Sequence, residues 1–478
     1  MADYNRRTFL RTAGAGVALG VATPGSVLTA SPKNALQNKS KYPALKFDVA
    51  VVGAGASGIP AAIAAAREGA KVILLEEDMQ PGGAPVDMFV TYLIGDPRVG
   101  IFNQLIRELN AKHSLTGSPT PDFGHDGNNG RFHWWLPSSF SIVLNQMISQ
   151  ERNLTLMCGA SVVDIIVEAK ANRNLVKGVR IMRNGMLQDV LAKVTIDATG
   201  TGLVASQAGC EYMYGTEAKS DFNESIGLEV GNKKPQSCTW MYITQRLRKD
   251  AVIPFDNLDE SMHFLENNFG EWLSRSHNRE DTAKRDAGIY LRWGATTECS
   301  DTLDTVAIAQ SQRELLGELS DQIKILREAG FATHLAPKIG VRECRRIMGE
   351  YVITYDDIAQ GKMPDDKIAD ARYSIDVWGM KDLPVHLKQV PPYGIPYRSL
   401  IPLNTEGLLT AGRIISGTKI AASSYRVQPI AAAIGEAAGV AAAMTALNNT
   451  NLRDIEIKKL IARLDAKGMF EAYKNFTK

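Results

Sequence analysis

Apolar and polar positions near the start of the folded region follow a strand–turn–helix–strand order. Residues 47–52 form a short, almost wholly apolar run, which is typical of a buried parallel strand. Residues 59–69 are rich in alanine and end in glycine, which is the pattern of a buried helix with a glycine at its C-terminal end. A second strand is predicted over 71–75. This order predicts a parallel sheet with helices packed against it.

Further along the chain, two kinds of pattern recur. Residues 158–197 alternate between apolar and polar positions and contain Arg183-Asn184-Gly185, which predicts a hairpin turn between two strands. Apolar runs that enter glycine turns appear at 193–202 and 407–413, and an alanine-rich helix is predicted over 430–443. Residues 216–394 are more charged and aromatic and include a helical run at 305–328.

The first strand leads directly into a glycine triplet. Gly53 permits a tight turn, Gly55 lets the backbone approach a pyrophosphate, and Gly58 lets the helix pack closely on the strand. The helix N-terminus supplies unpaired N–H donors and a positive dipole for phosphate groups. Glu76, at the end of the second strand, stands where a carboxylate accepts hydrogen bonds from ribose hydroxyls. Together these features predict a dinucleotide site.

Three more segments indicate which dinucleotide binds. Gly82 and Gly83 follow the acidic residue, and the glycine turns at 193–202 and 407–413 come much later. A nicotinamide dehydrogenase needs only the first glycine triplet. Contacts spread along the whole chain therefore indicate one long cofactor, held by a domain that is built from separate segments.

Several motifs resemble one family of flavoproteins. Residues 196–200 read IDATG, residues 340–346 read GVRECRR, residues 395–402 read IPYRSLIP, and a final block runs from 411 to 429. In these motifs the chain resembles the FAD-dependent oxidoreductases with a glutathione-reductase-type FAD domain. The resemblance covers about residues 46–446, which is nearly all of the chain after its first segment.

This resemblance implies an α/β fold with a Rossmann-like FAD-binding domain, a three-layer sheet and an α+β substrate domain. The implied FAD-binding domain is discontinuous, with segments 45–215 and 395–478, and the substrate or cap domain spans 216–394. FAD is expected to bind non-covalently. The implied cofactor-binding residues are Gly53, Gly55, Ala56, Ser57, Gly58, Glu76, Glu77, Gly82, Gly83, Ala198, Thr199, Gly200, Gly412, Arg413 and Gln428.

Candidate catalytic residues lie in the second half of the chain. His334 precedes an arginine-rich segment and is the first candidate for acid–base catalysis, although an ordinary surface or core histidine fits equally well. Arg342 belongs to that segment, which either binds an anionic substrate or forms salt bridges through Glu343. Tyr425 and Arg426 lie in the final family block and are candidates for the flavin side.

One departure from the family pattern concerns the substrate. Relatives often carry a histidine after the Ile375-Asp376 pair, whereas this chain has Trp378 in that region. A different residue there implies a different substrate or a different chemistry. The seven histidines show no metal-binding spacing, so no metal site is expected.

The formal net charge of +2, from 54 Lys+Arg and 52 Asp+Glu, argues against a nucleic-acid partner. This excess comes entirely from residues 1–30, where Arg6 and Arg7 precede a weakly apolar, glycine-rich stretch. The segment resembles a twin-arginine export signal, and a disordered basic N-terminus is the alternative. The signal predicts the Tat translocase as a partner and a bacterial periplasmic location, with a membrane anchor if cleavage fails because of Leu28. Residues 31–44 are expected to form a polar linker.

These features predict an exported FAD-dependent oxidoreductase that transfers hydride between a small organic substrate and the flavin. A second glycine triplet for NAD(P)H is absent from the sequence, so no NAD(P)H domain is expected and an external carrier or oxygen must exchange the electrons. Two alternatives remain open: a flavin-dependent lyase or isomerase without net redox chemistry, and a non-catalytic binding protein with the same fold.

Overall fold

The computed structural model describes residues 42–113, 134–171, 173–254, 262–266, 270–273, 286–379 and 388–473. These residues belong to one compact unit that spans 40–478. The predicted signal at 1–30 and nearly all of the predicted linker at 31–44 lie outside the described residues.

The strands fall into one large sheet and several smaller ones. In chain order they are β1 (Leu45–Val52), β2 (Val72–Leu75), β3 (Leu154–Met157), β4 (Ser161–Glu168), β5 (Asn174–Arg183), β6 (Met186–Asp197), β7 (Tyr212–Met213), β8 (Cys238–Thr239), β9 (Tyr242–Arg246), β10 (Met262–Glu266), β11 (Gly270–Leu273), β12 (Asp286–Arg292), β13 (Thr296–Thr297), β14 (Phe331–Leu335), β15 (Arg346–Ile347), β16 (Lys367–Ala371), β17 (Tyr393–Pro396), β18 (Thr405–Glu406) and β19 (Leu408–Thr410).

The helices are mostly short, apart from two that exceed 20 residues. In chain order they are α1 (Gly58–Arg67), α2 (Ala84–Asp87), α3 (Gly100–His113), α4 (Pro137–Ser149), α5 (Leu203–Gln207), α6 (Thr305–Glu328), α7 (Tyr355–Ala359), α8 (Lys419–Tyr425), α9 (Gln428–Asn448) and α10 (Ile457–Ala466).

A parallel sheet lies at the centre of the unit and confirms the α/β fold class. Strands β3, β2, β1 and β6 run parallel in that order, and β19 adds a further parallel strand to the last part of β6. The first part of β6 instead pairs antiparallel with β5, which in turn pairs with β4. Strand β6 therefore belongs to both the parallel sheet and a small antiparallel layer.

The hairpin between β5 and β6 forms at the predicted turn. Asn184 and Gly185 both have positive φ, at 51° and 72°, and Arg183 pairs with Met186 across the turn. Two consecutive residues with positive φ are the geometry of a type I′ turn, which asparagine followed by glycine favours.

Side chains of the central strands alternate between two cores. Val49 and Val51 of β1 face a core that α1 and α9 cover, whereas Ala50 and Val52 face a core shared with the antiparallel layer and α5. Helices, parallel sheet and antiparallel layer thus form three layers, held together by apolar burial on both faces of the sheet.

Helices α1 and α9 approach each other unusually closely. A β-carbon at Gly435 would lie 2.0 Å from the carbonyl oxygen of Ser57, and one at Gly439 would lie 2.1 Å from that of Ala61. Glycine at these two positions of α9 is therefore required for the contact. Among the described residues, α9 alone is long and apolar enough to cross a membrane, and 94% of its most apolar window is buried inside the fold, which is the pattern of a core helix.

A second core lies within the residues predicted to form the substrate domain. Strands β11, β10, β12, β9 and β14 form an antiparallel sheet in that order, and α6 buries Leu315, Leu319 and Leu326 beside it. Residues 353–377, which the sequence also places in that domain, pack instead in the core beside α1 and α9. The domain boundaries at 215 and 395 stay predictions.

Candidate functional site

The first glycine turn has the close contacts that its sequence predicts. Gly53 has a φ of 98°, and a β-carbon there would lie 2.6 Å from the carbonyl oxygen of Ala198. A β-carbon at Gly58 would lie 1.8 Å from the carbonyl oxygen of Gly53, so only glycine fits there. At Gly55 the nearest heavy atom would be the Cα of Gly83, at 4.0 Å. Two of the glycines thus serve packing, and the middle one leaves space.

The start of α1 presents backbone donors to that space. The N–H groups of Gly55, Ala56 and Ser57 donate to no partner within the described part of the chain. Such donors at the positive end of a helix form an anion site. Gly83, with a φ of 59°, packs its Cα against Gly55, and the N–H of Gly82 donates to the carbonyl oxygen of Ala54 at 2.8 Å. The second glycine pair therefore borders the same space.

Glu76 is fixed beside this turn by backbone donors. Its Oε2 accepts from the N–H of Ala54 at 2.6 Å, and its Oε1 accepts from the N–H of Asp78 at 3.0 Å. Burial raises the pKa of Glu76 above its ordinary value. Each carboxylate oxygen keeps a lone pair for a further donor, such as a ribose hydroxyl. The neighbouring Glu77 is exposed.

The second glycine turn follows β6 and packs against the first. Asp197 is fully buried and accepts from the N–H and the hydroxyl of Thr199, at 3.1 and 2.7 Å, and from the N–H of Ala205 at 2.9 Å. These bonds shape the turn and supply an acceptor to the start of α5. The N–H of Ala198 donates to the carbonyl oxygen of Val52 at 2.9 Å, which fixes this turn beside β1.

The third segment reaches the same place from the C-terminal part of the chain. A β-carbon at Gly412, whose φ is 79°, would lie 2.6 Å from the Oγ of Ser57. The adjacent Arg413 donates from Nε to the carbonyl oxygen of Gly200 at 2.7 Å and from Nη1 to that of Val341 at 2.5 Å. Its guanidinium therefore links two loops of the protein, and its direct contact with a cofactor stays a prediction.

A cavity connects the first glycine turn with the start of α9. Gly55, Ala56 and Gly82 line one side of it, and Gln428 lines another. The remaining walls come from apolar side chains of α1, α2, α3 and α4. Gln428 also donates from Nε2 to the carbonyl oxygen of Val90 at 2.6 Å, which fixes the first turn of α9.

A polar cluster lies immediately before α9. Arg426 forms an ion pair with Asp376 at 3.3 Å, and Tyr373 donates to the same carboxylate at 3.2 Å. The guanidinium of Arg342 lies 4.3 Å from the ring centroid of Trp378 and donates to the backbone. Burial and the nearby Arg426 lower the pKa of Arg342 to about 10, whereas Asp376 acts in the opposite direction. We refer to Arg342, Arg426, Asp376, Tyr373 and Trp378 as the α9 cluster.

The other arginines of the family motif have structural partners. Arg346 is buried between Glu217 and Glu343, at 2.5 Å from each, and Lys419 lies 3.1 Å from Glu343. Arg345 lies 5.2 Å from the ring centroid of Tyr212. The structure thus shows the salt bridges for Arg346. Binding of an anionic substrate by Arg342 stays a prediction.

Tyr425 and His334, which the sequence also suggests as catalytic residues, lie outside the α9 cluster. Tyr425 is fully buried and donates to the carbonyl oxygen of Ile415 at 3.1 Å, and burial raises the pKa of its hydroxyl. His334 is exposed on β14, which is an edge strand of the antiparallel sheet. The structure brings Arg342 and Arg426 together and leaves these two side chains outside the α9 cluster.

Sequence reasoning missed Asp376 and Tyr373 as site residues. Asp376 belongs to the Ile375-Asp376 pair that marked the departure from the family pattern, and Tyr373 lies two residues before that pair. Nothing local shows that either residue contacts Arg426. The signal available was indirect: Arg426 directly precedes a predicted helix, and an arginine that is buried needs a carboxylate partner.

Comparisons with known proteins identify the family of the chain. The family model of FAD dependent oxidoreductase matches residues 48–464. One curated relative is the tRNA uridine 5-carboxymethylaminomethyl modification enzyme MnmG of Alkaliphilus oremlandii, 23% identical over 65% of this chain and 54% of that protein. Another is Protein FixC of Bradyrhizobium diazoefficiens, 28% identical over 34% of this chain and 39% of that protein. The chain thus matches only about half, or less, of the length of these curated relatives.

Two solved structures show a weak likeness to this chain. A geranylgeranyl bacteriochlorophyll reductase-like protein of Thermoplasma acidophilum is 13% identical, with 89% of this chain and 83% of that chain covered and a TM-score of 0.41. The anhydrotetracycline hydroxylase OxyS of Streptomyces rimosus is 12% identical, with 88% and 66% covered and a TM-score of 0.41. Likenesses at this level carry no argument about activity. The matched family model covers most of the chain, including all of the glycine turns described above, so the chain belongs to the FAD dependent oxidoreductase family and FAD is its cofactor.

Proposed function

We propose that this chain is an exported FAD-dependent oxidoreductase that transfers hydride between a small organic substrate and the flavin. The observation that carries this proposal is the position of the α9 cluster. Its member Arg426 lies two residues before Gln428, and Gln428 lines the same cavity as Gly55 of the first glycine turn. Charged and aromatic side chains suited to a substrate would thus lie near the cofactor.

The residues that would hold FAD non-covalently are those whose geometry fits it. The unpaired N–H groups of Gly55, Ala56 and Ser57 would bind the pyrophosphate, and Glu76 would accept from a ribose hydroxyl. The positive end of α9, which begins at Gln428, favours negative charge nearby. When bound, FAD supplies the hydride acceptor or donor that the side chains themselves lack.

The α9 cluster would orient the substrate and manage its protons. Arg342 and Arg426 provide positive charge, and the Trp378 ring provides a flat surface. Burial raises the pKa of Tyr373, so its hydroxyl stays protonated and donates to Asp376. A protonated tyrosine paired with a carboxylate is an arrangement suited to general acid–base catalysis, and His334 and Tyr425 have no comparable setting.

Electrons would leave through an external carrier or oxygen. The chain carries one glycine triplet of the dinucleotide type, and FAD uses it. Electrons taken from the substrate would therefore have to pass from the flavin to an external carrier or oxygen, because no NAD(P)H domain is expected in the chain.

The export part of the proposal rests on the twin-arginine pattern at Arg6 and Arg7 together with the construction of the cofactor site. Segments from residue 53 to residue 412 converge on one place, so only the completed fold retains FAD. A route that carries folded proteins suits such a chain. Changing both residues in Arg6→Lys/Arg7→Lys should retain the protein in the cytoplasm, and unchanged periplasmic recovery would count against export.

Anaerobic reduction of the purified holoenzyme tests the proposed chemistry. A panel of small organic substrates is mixed with the oxidised protein, and loss of flavin absorbance is followed. Bleaching by a substrate, with reoxidation by an electron acceptor, supports the oxidoreductase. Turnover without bleaching supports a lyase or isomerase, and purified protein without flavin absorbance refutes both.

A further inference from the structure

We propose that Arg342 and Arg426 bind the carboxylate of the substrate, which makes the substrate a small organic acid. This inference rests on the proposed function and specifies its substrate class. It is argued from the donors, the charge and the surroundings of the two guanidinium groups.

The Arg342 guanidinium has more N–H donors than the one hydrogen bond it forms with the described residues. Its Nη1 donates to the carbonyl oxygen of Ser237 at 2.7 Å, and the group makes no ion pair within the described residues. One face of the guanidinium is covered by the ring of Trp378, at 4.3 Å from the centroid. Stacking on a ring leaves the edge of the guanidinium, where its N–H groups point, available to a planar acceptor.

Arg426 is only partly satisfied by Asp376. Its Nη2 donates to the carbonyl oxygen of Asp376 at 3.0 Å and to the carboxylate at 3.3 Å, which is a long distance for a charge-assisted bond. Its Nε is buried and has no hydrogen-bond partner in the described part of the chain. The side chains of Arg426 and Asp376 are 14% and 10% exposed, so water can satisfy few of their remaining hydrogen bonds.

Counted over the described residues, the cluster carries one positive charge more than its carboxylate balances. Arg342 and Arg426 are cations, Asp376 is the anion that faces them, and Tyr373 stays neutral because burial raises the pKa of its hydroxyl. Two adjacent cations in a poorly hydrated place are unfavourable, and the lowered pKa of Arg342 reflects this. One monovalent anion would neutralise the cluster.

A carboxylate fits better than a larger or more highly charged anion. It is planar, carries a single negative charge and presents two oxygens that match the fork of a guanidinium. The ring of Trp378, which stacks on the Arg342 guanidinium, offers a flat surface beside these donors that suits a planar ligand. The residue at which this chain departs from its relatives thus forms part of the predicted acid-binding surface.

Ligand titrations of the holoenzyme test the proposal. Benzoate is added at constant ionic strength and compared with benzamide, which has the same shape without the charge. Binding is followed by calorimetry and by the shift of the flavin absorbance spectrum. Benzoate should bind at least about tenfold more tightly than benzamide, because one charge-assisted bidentate contact is worth more than 1.4 kcal/mol.

Variants then test whether Arg342 binds the carboxylate of benzoate. Arg342→Met should lower benzoate affinity about tenfold, leave benzamide affinity unchanged and keep full flavin occupancy. Arg342→Lys should recover part of the affinity, because it keeps the charge without the fork. Arg398→Met is the matched control, since Arg398 pairs with Asp366 away from the cluster.

Three outcomes would overturn the proposal. The first is equal affinity of the wild-type protein for benzoate and benzamide, or no benzoate binding to a protein that holds flavin. The second is unchanged benzoate affinity in a folded Arg342→Met. The third is loss of flavin from that variant, which would place Arg342 on the cofactor. Failure of the proposed function would instead appear as protein that binds benzoate but is bleached by no substrate.

Discussion

Gly58 lies directly against the carbonyl oxygen of Gly53, and this contact closes the first glycine turn after β1. A β-carbon on Gly58 would lie only 1.8 Å from that oxygen, so the helix could not keep its position on the strand. At Gly55 there is open space instead, because the nearest heavy atom would be 4.0 Å away.

Because of this difference, alanine at Gly58 should lower stability, whereas alanine at Gly55 should weaken FAD binding. Gly58→Ala should lower the free energy of unfolding of the FAD-free protein by about 2 kcal/mol or more, because the backbone must shift. Gly55→Ala should leave that free energy within about 0.5 kcal/mol but weaken FAD binding, since the methyl group enters the phosphate space. Denaturant unfolding and FAD fluorescence titration measure the two effects. Equal losses of stability in both variants would contradict the assignment.

Glu76 offers a test of the ribose contact. Glu76→Arg should abolish FAD retention, because it replaces the acceptor for ribose hydroxyls and for the N–H of Ala54 with a cation. Glu77→Arg is the matched control, since Glu77 is exposed and should keep flavin occupancy near that of the wild type. Flavin-to-protein absorbance ratios after gel filtration give the answer, and full occupancy in Glu76→Arg would refute the placement.

Arg346 should be a determinant of stability and not of chemistry. Arg346→Met leaves Glu217 and Glu343 buried without this partner, and breaking a buried pair in this way costs about 3–5 kcal/mol. Denaturant unfolding should show this loss, whereas the flavin reduction rate of the remaining folded protein should stay unchanged. A variant of normal stability, or one that is stable but slow, would contradict the structural role.

The pH dependence of stability should report on Glu436. This side chain of α9 is buried and accepts from the N–H of Ile101 at 2.7 Å. Burial raises its pKa from 4.5 to about 6, against the opposing effects of that hydrogen bond and of the charges on Lys467 and Arg67. Between about pH 4.5 and pH 6, Glu436 is therefore protonated in the folded chain and ionised in the unfolded chain. The stability that this group contributes is fully present below about pH 4.5 and declines until the pH passes about 6.

Glu436→Gln should remove that decline. The fall in the free energy of unfolding between pH 4.5 and pH 7 should be smaller in the variant than in the wild type, by about 2 kcal/mol. Asp87, whose pKa burial also raises to about 6, is present in both proteins, so the difference isolates Glu436. The exposed Glu471→Gln serves as control, and parallel pH profiles for Glu436→Gln and wild type would disprove the assignment.

Tyr425 and His334 can be separated from the α9 cluster by rate measurements. Tyr425→Phe should lower stability by about 1 kcal/mol, through loss of the bond to Ile415, and His334→Gln should lower neither stability nor rate. Tyr373→Phe should slow flavin reduction by about 10²-fold at unchanged flavin occupancy, if its hydroxyl moves a proton. A large rate loss in His334→Gln would restore that residue as the catalytic acid or base.

Much of the cofactor side was predictable because each glycine turn is local in sequence. An apolar strand followed by Gly53, Gly55 and Gly58 has one common structural outcome, and the hairpin at Asn184 follows from two residues that tolerate positive φ. The structure bears out these elements within a few residues.

The substrate side was not predictable in the same way. Arg342, Arg345 and Arg346 are neighbours in sequence, yet their side chains reach Trp378, Tyr212 and a buried ion network. Which arginine faces which partner depends on contacts between segments far apart along the chain, and no local pattern encodes those contacts. The partnership of Arg426 with Asp376 has the same origin.

The wide separation along the chain of the segments that form the binding site sets the order in which the site can be built during synthesis. Its second glycine turn is held by Arg413, which emerges from the ribosome 213 residues after Gly200. Gly412 and Gly435, which close the site against Ser57, also come late. A nascent chain can form the hairpin and the first glycine turn early, but it has no complete place for the flavin until translation has passed these residues. A bound flavin therefore marks a chain whose translation has passed Gly435.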